Sequence, residues 1–228
     1  MRKKQIIKIT VDLLMTILLL LLMTYELLGH AFHERIGCGM FLLFILHHVL
    51  NCKWLMGIGK GHYIAFRVVQ LVLAVLIFVC MIGSMVSGIF LSQTVFVSLA
   101  LTGDWANAVH MLCAYWGFVW MSLHLGLHWS IITGMAKKAF PKANKTVPIV
   151  LRILAAAFAG FGVYAFVRQK FPMYMTLKYH FALLNYDEPF LLLFDYIAIM
   201  GLFIWLGHYF GRLFRKAGQK KSRKADTI

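Results

Sequence analysis

The apolar positions of this 228-residue chain gather into six long runs separated by short polar or basic segments. They lie near residues 8–30, 36–58, 64–92, 105–133, 147–168 and 188–212. Each is long enough for an α-helix to cross a hydrocarbon layer, which takes roughly 20 residues for about 30 Å. The third, fourth and sixth exceed that minimum, so tilt or interfacial ends are expected. The first run follows Met1-Arg2-Lys3-Lys4, a start that a signal peptide shares. Its apolar stretch is too long for such a peptide, carries Asp12 and lacks a small-residue cleavage site, so it reads as a retained span. The expected fold is all-α, a polytopic membrane helix bundle of about six transmembrane helices. It is expected to form a single integral-membrane domain over 1–228. Residues 8–135 would be a four-helix core, and 136–228 two further helices and a basic tail.

Composition agrees: 61% of residues are hydrophobic, only 14% are charged, and mean hydropathy is +0.79. A formal net charge of +15 would suit a nucleic-acid binder, but its distribution argues against one. With the N-terminus in the cytoplasm, the inner side receives Arg2, Lys3, Lys4, Lys8, Lys53, Lys60, Arg67, Lys137, Lys138, Lys142, Lys145 and the tail. That is 18 of the 23 Lys and Arg residues. Such asymmetry follows the positive-inside rule for a six-span protein with both termini cytoplasmic. The expected setting is a bacterial-type plasma (inner) membrane, with lipid as partner and no nucleic acid. Cys38, Cys52, Cys80 and Cys113 all fall in apolar runs, with no CxxC pair and no CxxCH heme-attachment motif. They read as small hydrophobes, and any heme would be held without a covalent link.

Polar residues inside the runs carry the chemistry. His33 and His47 lie 14 residues apart in the second run, and His110 and His124 lie 14 apart in the fourth. Fourteen helical residues turn about 1400°, close to four full turns, and rise about 21 Å. Each pair therefore shares one helix face, with one histidine toward either edge of the membrane. The second and fourth runs both start on the outer side, so their helices run parallel and the levels match. The pairing expected is His33 with His110 outside and His47 with His124 inside. This geometry suits two stacked b-type hemes between helices 2 and 4, with the four histidines as axial ligands to heme iron.

A lone intramembrane histidine can simply hydrogen-bond across a bundle. Four at two equal spacings and matching depths are harder to explain that way, because intramembrane ionisable groups are costly and usually functional. Transition-metal sites want ligands clustered within a few ångströms, whereas these levels are about 21 Å apart.

Neighbouring residues extend the picture. Gly117 lies seven residues from both His110 and His124, where the lack of a side chain would admit a porphyrin edge. Gly37 and Gly39 fit the same idea or ordinary helix packing. His48 is the rival to His47. Asn51 and His128 follow His47 and His124 by four residues, one turn deeper, placed to hydrogen-bond propionates or a water. Lys53, Lys60 and Arg67 are open to two readings, propionate partners or inside-positive loop charges. Trp54, Trp105 and Trp129 read as interfacial aromatics, and Tyr115, Trp116 and Trp120 as pocket walls or plain packing. Asp12 and Asp195 would anchor helices or relay protons. His62, His180 and His208 show no partner pattern.

The chain resembles the flavinylation-associated membrane cytochromes, long filed as a domain of unknown function. The resemblance is carried by KITVDLLMTILLLLLM (8–23), HERIGCGMFLLFILHHVLNCKWL (33–55), GKGHYIAFRVVQ (59–70) and HMLCAYWGFVWMSLHLGLHW (110–129). It covers residues 5–135 closely. It implies a b-type cytochrome passing electrons across the membrane, often toward extracytosolic flavoproteins that carry covalent FMN. The family's heme histidines map onto His33, His47, His110 and His124. The residues show no FMN-attachment domain, so FMN is expected only on a separate partner. The expected cofactors are two heme b, with a quinone also considered. The role is an electron-transfer component of a membrane oxidoreductase rather than a stand-alone enzyme.

Two side readings complete the expectations. Glu26, His30 and Glu34 cluster near the outer end beside His33 and could take protons from a quinol, or simply reach interfacial water. Residues 169–187 read as an amphipathic outer segment, a lid or docking surface if not an ordinary connection. The alternative function is a non-heme membrane transporter or sensor whose intramembrane histidines bind protons or metal ions.

Overall fold

Near-continuous helix, broken only where polar or glycine residues interrupt the apolar runs, is what the computed structural model contains. It describes residues 3–61, 63–101, 104–139, 146–179 and 189–225, and leaves the side chains at 25–28, 136, 139, 189 and 218–225 undescribed. Among the described residues the order is α1 (Lys3–Met23), α2 (Tyr25–Leu50), α3 (Cys52–Met56), α4 (Ala65–Phe90), a 3₁₀ turn (Val97–Leu99), α5 (Asp104–Ala139), α6 (Thr146–Arg168), α7 (Phe171–Met175) and α8 (Pro189–Ala225).

Five of these, α1, α4, α5, α6 and α8, contain stretches long and apolar enough to cross a membrane. The run expected at 36–58 differs. Its helix α2 begins well before residue 36, ends at Leu50, and is followed after Asn51 by the short α3. It is not among the five, because His33, Glu34, Arg35, His47 and His48 dilute its apolar character. α8 also runs past residue 212 into the basic tail.

The chain separates into two compact units. One comprises Met1–Gly61, Val79–Trp116 and Phe171–Tyr196; the other comprises His62–Phe78, Gly117–Lys170 and Ile197–Ile228. The division cuts through α4, α5 and α8.

In the first unit, α1 and α2 form a hairpin that bends at Thr24 (φ −98°, ψ 39°) and again at Gly29. Thr24 is fully buried, and its hydroxyl donates to the Leu21 carbonyl at 3.0 Å. Gly29 then interrupts α2 at φ 71°, ψ 165°, a conformation open to glycine and strained for a side-chain-bearing residue. Beyond this kink the helices run antiparallel: Gly37 and Gly39 face Leu22 and Leu18 of α1, and farther along His47 and Asn51 face Asp12 and Lys8. The two glycines therefore serve helix packing.

The same unit has an aromatic core where α7 meets α5 and the start of α8. Phe171, Tyr174 and Tyr196 are almost completely buried. Tyr115 stacks on Tyr174 with ring centres 4.6 Å apart and meets Phe171 edge-on at 4.8 Å. The Trp116 indole donates to the Met175 carbonyl at 3.0 Å. The segment starting at 169 is thus anchored by buried rings up to Lys178, and residues 180–187 lie outside the described part.

The second unit packs through small residues. At the α5–α8 crossing, Gly126 and Gly207 bring backbones together: a methyl on Gly126 would collide with the Ile204 carbonyl, and one on Gly207 with the Leu123 carbonyl. Gly162 of α6 meets the Ala198 carbonyl of α8 in the same way. Without a hydrophobic drive between helices in lipid, such close approach supplies the packing energy.

Candidate functional site

Two of the four sequence-predicted ligands come together in the first unit. His33 of α2 and His110 of α5 place their imidazole centres 6.0 Å apart with ring planes at 64°. Two imidazoles on opposite sides of one metal ion, each bound at about 2 Å, would have centres roughly 6.3 Å apart. The pair would leave room for a heme iron held by both rings, and its separation and tilt are also those of an edge-to-face ring contact.

His110 is held in the right tautomer for such a role. Its Nδ1 lies 3.0 Å from the Ser84 carbonyl and 3.2 Å from Ser87 Oγ. The Ser87 hydroxyl hydrogen is committed to the Gly83 carbonyl at 2.6 Å, so Ser87 Oγ accepts here. Both neighbours of Nδ1 are acceptors, which places the proton on Nδ1 and the lone pair on Nε2. Metal-binding histidines are commonly oriented by such a bond. Gly88, one turn beyond Ser84, faces the ring; a methyl there would sit in ordinary contact, 3.5 Å from Cε1. Sequence reasoning did not single out Ser84 and Ser87, since small polar residues in a span usually mean helix packing.

Glu34, next to His33, grips the segment after α4. Its carboxylate accepts from Ser92 Oγ (2.8 Å), the Gln93 N–H (2.6 Å), Thr94 Oγ1 (2.7 Å) and N–H (3.1 Å), and the Val95 N–H (2.9 Å). Glu34 precedes the predicted span at 36–58. Desolvation pushes its pKa up, but the Gln93, Thr94, Val95 and Ser92 donors outweigh that and hold it at about 2. A carboxylate so placed is an anchor and a poor proton acceptor. The Glu26 side chain, expected beside it, lies outside the described part.

At the other end of α2, His47 Nδ1 donates to Asp12 Oδ1 of α1 at 2.7 Å, and Nε2, left with the lone pair, lies 3.5 Å from the Asn51 amide nitrogen. One turn deeper, Lys8 donates to Asn51 Oδ1 at 2.8 Å, and the Asn51 amide donates to the His47 carbonyl at 2.9 Å. Asn51, expected to face a propionate, thus binds α1 to α2. His48 turns its Nδ1 onto the Phe44 carbonyl at 2.9 Å and rests on the Phe44 ring. The Asp12 carboxylate is the feature that separates His47 from its neighbour.

The remaining ligand candidates belong to the second unit. His124 lies beside His128 with ring centres 4.9 Å apart, and His128 Nε2 is 3.4 Å from the Gln70 amide nitrogen. Gly117 is half-buried and falls between His110 and His124 in the unbroken α5, as the spacing requires. Lys53, Lys60 and Trp54 are exposed, and Arg67 stacks on Tyr63 with its guanidinium 4.7 Å from the ring centre. Trp105 meets Phe90 edge-on at 5.3 Å. Trp120 lines an apolar cavity of about 360 Å³ with Val72, Leu76, Leu123 and Phe210. Among the described residues, no three His, Cys, Asp or Glu side chains gather as ligands for a bare metal ion.

The fold and its apolar helices define a multi-pass helical membrane protein. Comparison with family models, curated proteins and solved structures returns no match to this chain.

Proposed function

We propose that this protein is a transmembrane b-type cytochrome that carries electrons through two bis-histidine hemes. The observation that carries the reading is the His33–His110 pair, with ring centres 6.0 Å apart and the His110 Nδ1 proton turned away from its partner. By their matching 14-residue register, His47 and His124 are the ligands of the second heme, and Asp12 favours His47 over His48. Among the described residues no three His, Cys, Asp or Glu side chains gather as zinc ligands would, which weighs against a metal transporter.

Heme would supply one-electron chemistry when bound. The chain's own residues do the rest. His33 and His110 would hold the iron, Ser84 and Ser87 orient His110, and Glu34 fixes the 92–95 segment beside the pair. A separate FMN-bearing extracytosolic protein is the proposed acceptor, and a quinol is a candidate donor. The proposed location is a bacterial-type plasma membrane with both termini cytoplasmic.

A visible spectrum of the purified full-length protein tests the reading. A Soret band that shifts on dithionite reduction, with about two hemes per chain, is expected. A colourless, folded preparation from heme-replete cells would overturn it.

A further inference from the structure

His110 and His47 differ in the acceptor that faces the ring Nδ1. At His110 the Nδ1 proton goes to the neutral Ser84 carbonyl, with neutral Ser87 Oγ beside it. At His47 it goes to the Asp12 carboxylate at 2.7 Å. A charged acceptor makes roughly twice as strong a bond as a neutral one and draws the ring toward imidazolate. A more basic ligand stabilises the higher charge on iron.

The other nearby charges leave this contrast standing. Lys8, one turn from Asp12, donates to Asn51 Oδ1. Glu34, next to His33, acts on that ring through space, while its oxygens accept five hydrogen bonds from the 92–95 segment and none of those bonds joins it to a ligand ring.

The geometry points to Asp12 as a positioning residue that holds the heme ligated by His47 at a lower reduction potential than the one ligated by His33 and His110. The inference rests on the cytochrome reading above. One electron lost at the His47 level and gained at the His33–His110 level is then the downhill exchange, with no proton or further reactant required. Asp12 acts through a ligand and touches neither electron donor nor acceptor.

The test is a redox titration of the heme-loaded full-length protein followed by visible spectroscopy. Two distinct midpoints are expected. Asp12→Asn should raise the lower one by about tenfold in the reduction equilibrium, which is about 59 mV for one electron, and leave the higher one in place. Asp12→Glu, which keeps the charge, should restore the split. His110→Ala, which removes the other level, should leave the lower-potential heme. The proposal falls if the wild-type midpoints coincide, if Asp12→Asn moves neither or only the higher one, or if His110→Ala leaves the higher-potential heme. Should Asp12→Asn shed its heme, Asp12→Glu decides: a lost split there refutes the proposal. A wild-type protein that binds no heme refutes the cytochrome reading instead.

Discussion

Replacing Glu34 with alanine should loosen the segment after α4 without unfolding the bundle. Its carboxylate is the acceptor for the N–H groups of Gln93, Thr94 and Val95 and for the hydroxyls of Ser92 and Thr94. Donation to this carboxylate holds its pKa at about 2 against an ordinary 4.5. Taken at about 1.4 kcal/mol per tenfold in acidity, that difference sets an upper bound of roughly 3.4 kcal/mol. Solvent screening at this half-exposed site reduces it to about 1–2 kcal/mol. An effect of that size corresponds to a 5- to 30-fold change in local opening. Hydrogen–deuterium exchange over residues 92–97 in detergent should therefore speed up by that factor in Glu34→Ala, with α1 and α6 unchanged. Because the folded pKa is depressed, this stabilisation is complete above pH 4.5 and is lost as pH falls toward 2. After correction for intrinsic exchange, wild-type protection at 93–95 should hold from pH 7 to 5 and decline below. Unchanged exchange in the variant, or protection that grows on acidification, would refute the reasoning.

Three further outcomes follow from packing. Gly207→Leu places a side chain against the Leu123 carbonyl and Gly126, and should cost at least the 1–3 kcal/mol typical of overpacking, seen as a lower thermal midpoint in detergent; an unchanged midpoint would contradict the crossing. Tyr174→Ala removes a ring that is 1% exposed and stacked on Tyr115, with an expected loss of about 3–5 kcal/mol in the same assay. Ser87→Ala should cost about 1 kcal/mol and leave heme content intact, since the Ser84 carbonyl still accepts from His110; loss of heme would show that Ser87 does more than orient the ring.

Much of this protein is local physics and was legible in the residues. An apolar run of membrane length has few alternatives to helix, so α4 and α6 fall within two residues of the expected runs at 64–92 and 147–168. The face shared by His110, Gly117 and His124 follows from helical periodicity in the unbroken α5. Where polar residues interrupt an apolar run, periodicity lost its grip: α2 starts far ahead of residue 36, turns at Gly29 and gives way to α3 after Asn51.

Tertiary structure decided which partner each polar group meets, because contacts between residues 35 to 61 apart leave no periodic trace. Asp12 could have anchored any helix, and the α1–α2 hairpin delivers it to His47. Glu34 could have reached water, and the end of α4 surrounds it with donors instead. Tyr115 and Trp116 could have walled a pocket, and α7 engages both. Sequence determined where the helices run and which faces carry histidine; the fold determined the hydrogen bonds that set each ring's tautomer, because these depend on which helices pack side by side.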